Sequence, residues 1–466
     1  MGTVTELWER RPFPVETAQE TIAAAVRVAG GREQLAQHLS ARLGLKVYAS
    51  TIKAWETSIS PPSDVLRVSV DLAARASGAV ALPAGGGHGV PARVVAVAGP
   101  ASQPGPAPGP VYPPTVDAAR VAAIALWDAM SGGDGGQAWA SEAATAAGWS
   151  WTFDPPDRTV AGHGRRRVTS ADVERVREAM AAVVTLDRLF GGGHVQGPML
   201  ALLTSQVAPL LHGQYSTKAG RAVFGVAAET TAQLAFSAYD AGRHGTAEAA
   251  YITALRLAKA SGDQALGLHV LANMATQAVG LGQAREAVQL AGAAAAGVTR
   301  GTHPMVAAHV RTVEAQACAL AGDVAGFRRA LHGAETAIGR GRAEGAPQWA
   351  RYFTPAHWAG TAVRGFRDLA LTRDALSHES LALDVGGANP RTGALHGTLL
   401  ATVHVAEGNV DRAVDLIGDA LDATGGVRSE RITRRLAGLR RQLLPHRTSA
   451  GVADILDRIE ERVAAS

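Results

Sequence analysis

The chain has a single cysteine, Cys318, in 466 residues. A lone thiol rules out an internal disulfide framework. It sits in an apolar helical stretch, where a buried inert thiol is the natural reading. Lysine is scarce too: Lys46, Lys53, Lys218 and Lys259 are the four among 45 basic residues. Aromatic residues make up 5%. Runs of β-branched residues alternating with polar ones are almost missing, which argues against a sheet. No apolar run reaches the ~18–20 residues of a membrane span. The closest, residues 199–211, is broken by Gln206 and Pro209. The first residues lack the apolar segment of a secretion signal, so no membrane and a cytoplasmic location are expected.

Chemical constellations are missing as well. The 15 histidines are scattered, with no His-Glu-x-x-His and no Cys-x-x-Cys, so no zinc site is expected. No Gly-x-Ser-x-Gly elbow occurs, and Gly85–Gly87 is not followed by Gly-Lys-Ser/Thr. Gly191–Gly193 reads as a chain reversal at a helix end. No enzyme and no cofactor are expected.

What remains is a chain that is 47% hydrophobic and rich in alanine and glycine, which favours close-packed helices. The length allows two to four domains with cores of their own. Residues 77–114 change character: Gly, Pro and Ala dominate and charge nearly vanishes, as in a linker. The expected organisation is all-α: a small helical unit over 1–76, the linker 77–114, a helical region 115–225, and helical repeats over 226–466. Residues 1–15 read as a terminal arm. A helix is expected over 115–130, with Val121, Ile124 and Leu126 inward. Residues 131–169 read as irregular, with Trp139, Trp149, Trp151 and Phe153 forming either a satellite core or a pocket wall. The Arg165–Arg167 run reads as solvated surface or a phosphate contact.

Within the first unit a helix is expected over about 15–28, with Ile22, Ala25 and Val26 inward. A second runs from Arg32 to about Leu43, with Leu35, Ala36, Leu39 and Leu43 on one face and Gly44 as its stop. A third, short helix spans Ala49 to about Thr57. Ile52 and Trp55 point to one side; Ser50, Lys53, Ala54 and Thr57, all small, polar or basic, point to another. Such a face suits a major groove roughly 12 Å wide. Pro61-Pro62 then breaks the chain, and Ser63 can cap a helix carrying Val65 and Leu66.

Leu35-Ala36, Thr51-Ile52-x-x-Trp55-Glu56 and Pro61-Pro62 followed by Asp64-Val65-Leu66 resemble the Cro/C1-type (XRE) helix-turn-helix family. The resemblance implies that double-stranded DNA is the partner. It implies a phosphate contact for Arg32, and base or phosphate contacts for Ser50, Thr51 and Lys53, with Lys46 and Thr57 beside them. It makes Leu35, Ile52, Trp55 and Glu56 structural. The 17 residues from Leu35 to Ile52 exceed the family's usual spacing, so the first helix or the turn is expected to be longer. Residues 1–77 carry nine Lys/Arg against eight Asp/Glu. One copy should therefore bind DNA weakly and work as a homodimer.

The second half repeats. YDAGRHGTAEAAYITAL, VGLGQAREAVQLAGAA and LAGDVAGFRRALHGAE align on Gly242, Gly282 and Gly322, each 40 residues after the last, and VAEGNVDRAVDLIGDAL follows with Gly408, 86 residues on. A helix, a glycine turn and a second helix make one unit, as in tetratricopeptide-like solenoids, here with a period above their usual ~34. The unit around Trp349, Tyr352, Phe353 and Trp358 is degenerate. The tail RSERITRRLAGLRRQLLPHR reads as a capping helix with a solvated basic face, or as a surface for nucleic acid or membrane.

Leu186-Asp187-Arg188, Gly191–Gly193, Tyr239-Asp240-x-Gly242-Arg243 and Ala254-Leu255 resemble actinobacterial regulators that join an XRE unit to tetratricopeptide-like helices. The resemblance implies a nucleoid-associated transcription regulator, with repeats that dimerise it and sense a peptide, small molecule or protein partner in their groove. A scaffold that acts through the repeats alone is the other reading.

Overall fold

The structure is a computed structural model. It describes residues 18–43, 47–57, 110–132, 139–190, 192–341, 344–385, 390–425, 427 and 429–464. The N-terminal arm, Gly44, the helix expected after Pro61-Pro62 and most of the 77–114 linker lie outside the described residues. The chain divides into two units, Met1–Pro104 and Gly105–Ser466.

In the first unit, α1 (Ala18–Ala29), α2 (Arg32–Leu43) and α3 (Ala49–Thr57) each pack against the other two. Ile22, Ala25, Leu35, Ala36, Leu39 and Ile52 form a shared core, with Val26, Ala29 and Val47 packed against it. Between α1 and α2, Gly30 has φ +86°, and the Gly31 N–H donates back to the Val26 carbonyl at 2.9 Å. That left-handed turn satisfies the end of α1. Near the end of α2, Ser40 Oγ donates to the Ala36 carbonyl (2.7 Å) and accepts from the Val47 N–H (3.0 Å).

The second unit is also helical. It opens with α4 (Val116–Ser131), whose N-terminus is capped by Thr115 Oγ1 accepting from the Ala118 N–H at 3.1 Å. Its inner face is Ala119, Ala123 and Trp127. Ile124 and Leu126 are partly buried as expected, but Val121 is exposed. The 131–169 stretch is also more ordered than its composition implied. It contains α5 (Ser141–Phe153) and β1 (Gly162–His163), which pairs antiparallel with β2 (Gln214–Tyr215). Between the strands lie α6 (Ser170–Phe190), α7 (Gly192–Leu202), a π-helical turn (Leu203–Val207) and the one-turn α8 (Ala208–Leu211).

Five hairpins follow. They pair α9 (Thr217–Asp240) with α10 (His244–Ser261), α11 (Gln264–Gly280) with α12 (Ala284–Ala296), and α13 (Pro304–Leu320) with α14 (Val324–Arg340). The fourth sets α15 (Pro355–Asp368) against the short α16 (Thr372–Leu376) and α17 (Glu379–Leu383). The fifth pairs α18 (Pro390–Ala406) with α19 (Val410–Ala423), and α20 (Glu430–Leu443) and α21 (Val452–Ala464) close the chain. Successive first helices touch: α9 with α11, α11 with α13, α13 with α15 and α15 with α18. Alanines at the crossings, such as Ala247, Ala250 and Ala254 on α10 and Ala272, Ala275 and Ala278 on α11, let the axes approach closely. The helix α9 runs unbroken across residue 225.

The turns explain the irregular period. Gly242, Gly282, Gly322 and Gly408 all have φ between +75° and +79°. In each, the turn residue donates to the carbonyl three back and the next residue to the carbonyl five back. Gly282 to Val279 (3.2 Å) and Gln283 to Ala278 (2.9 Å) are one pair. The fourth hairpin has the same two bonds, Ala370 to Arg367 (2.9 Å) and Leu371 to Phe366 (2.7 Å). Ala370, at φ +58°, is thus the turn residue of the fourth hairpin and the one non-glycine with positive φ among the described residues.

An L-residue in that region costs about 1–2 kcal/mol, offset in part by its smaller entropy loss relative to glycine. Ala370→Gly is expected to raise the thermal midpoint, and Gly322→Ala, where a Cβ meets nothing within 4 Å, to lower it. The magnitude is about 1 kcal/mol each way. Calorimetry on the two variants checks this; equal midpoints would contradict it.

Candidate functional site

On the N-terminal unit, Ser50 and Lys53 are exposed on α3, Thr51 is half-buried and Ile52 is fully buried. Arg32 is exposed at the first position of α2, and Leu35 one turn on is buried. The backbone of α3 is led in by Tyr48, whose carbonyl accepts from the Thr51 and Ile52 N–H groups at 3.0 and 3.1 Å. Tyr48 is 57% exposed, so it adds an aromatic beside Ser50. One face of a nine-residue helix thus holds the core contact while the other offers a hydroxyl and an ammonium. Lys46 and the side chains of Trp55, Glu56 and Thr57 lie outside the described residues.

The repeat array places a second set of polar groups inside itself. Counting thirteen residues back from each left-handed turn residue gives Glu229, His269, His309, His357 and Leu395. Three successive first helices therefore carry histidine at the same register. The rings meet: His269 lies 5.3 Å from His309 and stacks on Trp349 at 4.4 Å. His309 lies 6.1 Å from Tyr352, which is 5.4 Å from His357, itself 6.0 Å from His396. Gly360 makes room for the His396 ring, since a Cβ there would stand 2.3 Å from its Nε2. His269 Nε2 meets the Asn273 amide at 3.1 Å and His309 Nδ1 the Tyr352 hydroxyl at 3.4 Å. His269 Nδ1 and His309 Nε2 are buried with no hydrogen-bond partner. Burial pushes His309 and His396 down to about 4, and holds His269 well below the ordinary imidazole range. His269, His309 and His396 are therefore neutral at pH 7. Sequence spacing alone left these histidines scattered; alignment on the turns aligns them too.

The third feature is a buried ion cluster. Arg391, at the start of α18, binds Asp187 Oδ2 of α6 at 3.0 Å and Asp240 Oδ2 of α9 at 3.1 Å. Asp240 Oδ1 also accepts from Ser429 Oγ at 3.0 Å and faces Arg431 Nε at 3.1 Å. Arg391, Asp187 and Asp240 are all buried. Burial alone would lower the Arg391 guanidinium, but Asp240 and Asp187 overcome it and raise it. The cluster ties the fifth hairpin and α20 back onto the first hairpin, so the array curls on itself. The tail is therefore not a helix with one solvated basic face. Arg434 and Arg441 are exposed, but Arg431 and Arg435 are only partly exposed, and Arg431 lies 5.6 Å from the Phe236 ring and 5.4 Å from that of Tyr239.

The tryptophan-rich stretch divides in the same way. Trp151 is buried, while Trp149 and Phe153 stack at 5.2 Å and remain exposed. Arg165, Arg166 and Arg167 are exposed, with Arg166 paired to Asp172 at 3.0 Å. Cys318 is half-buried, and burial raises its thiol. In the degenerate unit Phe353 is buried, and Trp358 Nε1 donates to the Leu331 carbonyl at 3.1 Å. No helix of the described residues is long and apolar enough to cross a membrane.

Removing Arg391 leaves Asp187 buried without its cation and Asp240 with Arg431 alone, a loss of about 3–5 kcal/mol. Arg391→Met should unfold at a markedly lower temperature, and adding Asp187→Asn and Asp240→Asn should recover much of the loss; a single variant as stable as the parent would contradict the clamp. A depressed imidazole contributes stability above its unfolded value of about 6.5 that is lost as pH falls toward its folded value of about 4. Glu229, pushed up to about 7 by burial, has the opposite slope: its contribution is complete below about 4.5 and is lost as pH rises through 7. The stability difference between parent and His309→Gln should therefore vary between pH 6.5 and 4, the parent losing more on acidification. Parallel curves would show that His309 does not titrate there.

No family model and no curated protein matches the chain. Among solved structures it is similar to a "circular tandem repeat protein with novel repeat topology and enhanced subunit contact surfaces", over 96% of each chain, at 13% identity and a TM-score of 0.18. A likeness at that score has no bearing on fold or function.

Proposed function

We propose that the protein is a DNA-binding transcription regulator that reads a short operator half-site with α3 of its N-terminal unit. The observation that carries the reading is the division of α3. Ile52 is fixed in a three-helix core, so the helix is held rigidly while Ser50 and Lys53 face outward. A rigid short helix with small or basic outward residues is what a major groove accepts. In this reading Arg32, exposed at the start of α2, contacts a phosphate. The near-balanced charge of residues 1–77 means that one unit holds DNA weakly, so the regulator acts as a homodimer on half-sites about one helical turn apart, ~34 Å. The repeat array supplies the pairing and the sensing, taking a peptide, small molecule or protein in its interior. In the alternative, a scaffold that works through the repeats alone, the N-terminal unit is a passive bundle; the same charge balance favours it.

Selection of bound duplexes from a random pool by the full-length protein, followed by titration of the enriched duplex, separates the two. The regulator reading expects one enriched motif and affinity that falls steeply with salt. Lys53→Ala and Arg32→Ala should each weaken binding by about tenfold or more while leaving the helical circular dichroism unchanged. No enrichment, or variants that bind like the parent, would leave the scaffold.

A further inference from the structure

The Arg391 clamp has neighbours that it does not use. Arg364 and Arg367 lie in the last two turns of α15, and Arg431 and Arg435 in the first two turns of α20. These four, with Arg391, bring five guanidinium groups to one region of the interior. The carboxylates paired with them are three: Asp187, Asp240 and Asp368. Arg391 takes Asp187 and shares Asp240 with Arg431. Asp368 serves both Arg367, at 2.9 Å from its Nε, and Arg364, at 3.7 Å. Arg435 has no ion pair among the described residues; its guanidinium donates to the Leu395 carbonyl. Burial above all, and then the charges of Arg364, Arg367 and Arg431, push it down to about 9. Arg364 donates to the Val279 carbonyl at 3.3 Å, and its Nε is buried with no hydrogen-bond partner.

Like charges gathered in a poorly solvated place cost stability unless something answers them. The protein's own acids leave the set in excess, yet the side chains are reachable. Arg364, Arg367 and Arg431 keep 21%, 30% and 25% of their side-chain surface exposed. Rings flank them: Tyr239 and Phe236 under Arg431, and His396, which feels both Arg435 and Arg431. Forked guanidinium donors match the paired oxygens of a carboxylate or phosphate.

We infer that the interior of the repeat array binds the oxyanion group of a small organic acid or organic phosphate between Arg364, Arg431 and Arg435. The ligand's body lies along the row of rings from His396 to Tyr352. This deepens the sensing half of the proposed function and needs no DNA, so it stands or fails apart from operator binding. It also explains why Arg435 is where it is: a group that weakens the empty protein and answers a ligand.

The test uses the full-length protein and two probes, inorganic phosphate and benzoate, each against chloride at equal ionic strength. The thermal midpoint should rise saturably with one or both probes, and which one works tells phosphate from carboxylate. Arg435→Met should abolish the rise while leaving the anion-free midpoint equal to or above the parent's; a structural arginine would lower it. Arg364→Met is the second variant, should the first fail to fold, and is expected to weaken the response at least tenfold in probe concentration. Arg434→Gln, an exposed arginine on the same helix, should respond like the parent. Midpoints that follow ionic strength alone, a response that survives in Arg435→Met, a parent-like response in Arg364→Met, or one lost equally in Arg434→Gln, would overturn the proposal.

Discussion

The second unit depends on one buried guanidinium. Arg391 reaches Asp187 and Asp240, which stand 204 and 151 residues before it. A stack of helical hairpins has only neighbour contacts, and its ends are free. Here the fifth hairpin is bound to the first and to the helix that precedes the repeats. Buried ion pairs are poor sources of net stability but strong sources of definition, because the wrong arrangement strands a charge. The clamp therefore fixes how tightly the array curls, and with that the width of the interior and the distance between the histidine row and the arginines of α15 and α20.

The same constraint bears on the proposed anion site. A site placed beside the closure is sensitive to how far the closure is drawn in. An anion that settles among Arg364, Arg431 and Arg435 stabilises the curled form over any looser one by its difference in affinity for the two. In a homodimer paired through the repeats, such a change would alter how the two N-terminal units are presented to half-sites. His269, His309 and His396 are suited to the wall of this interior, since their burial keeps them from adding charge at physiological pH.

Much of this was legible in the sequence, for definite reasons. Gly242, Gly282, Gly322 and Gly408 marked turns because a left-handed residue is most often glycine. Leu35, Leu39 and Ile52 marked the N-terminal core through helical spacing, and α2 and α3 have the expected bounds. Ala370 hid the fourth turn because alanine carries no signal for that conformation. The helix Ser141–Phe153 was missed because its small residues, SEAATAAG, give a weak apolar period before the aromatics. Val121 was placed inward because it is large and apolar, but the small Ala119 and Ala123 face the core beside Trp127. The arginines of α20 read as a solvated face because their neighbours come from α9, α15 and α18, which only tertiary packing brings near. For the candidate interface, Arg32, Ser50 and Lys53 are exposed as their positions implied, while Thr51 is partly covered.

The central claim is that α3 reads DNA, and mapping of chromosomal sites bound by the protein in its native host tests it most directly. The account predicts discrete peaks that share a short inverted repeat with half-sites about one helical turn apart, and their disappearance in a strain carrying Lys53→Ala. A map with no peaks, or peaks indifferent to that substitution, would contradict it.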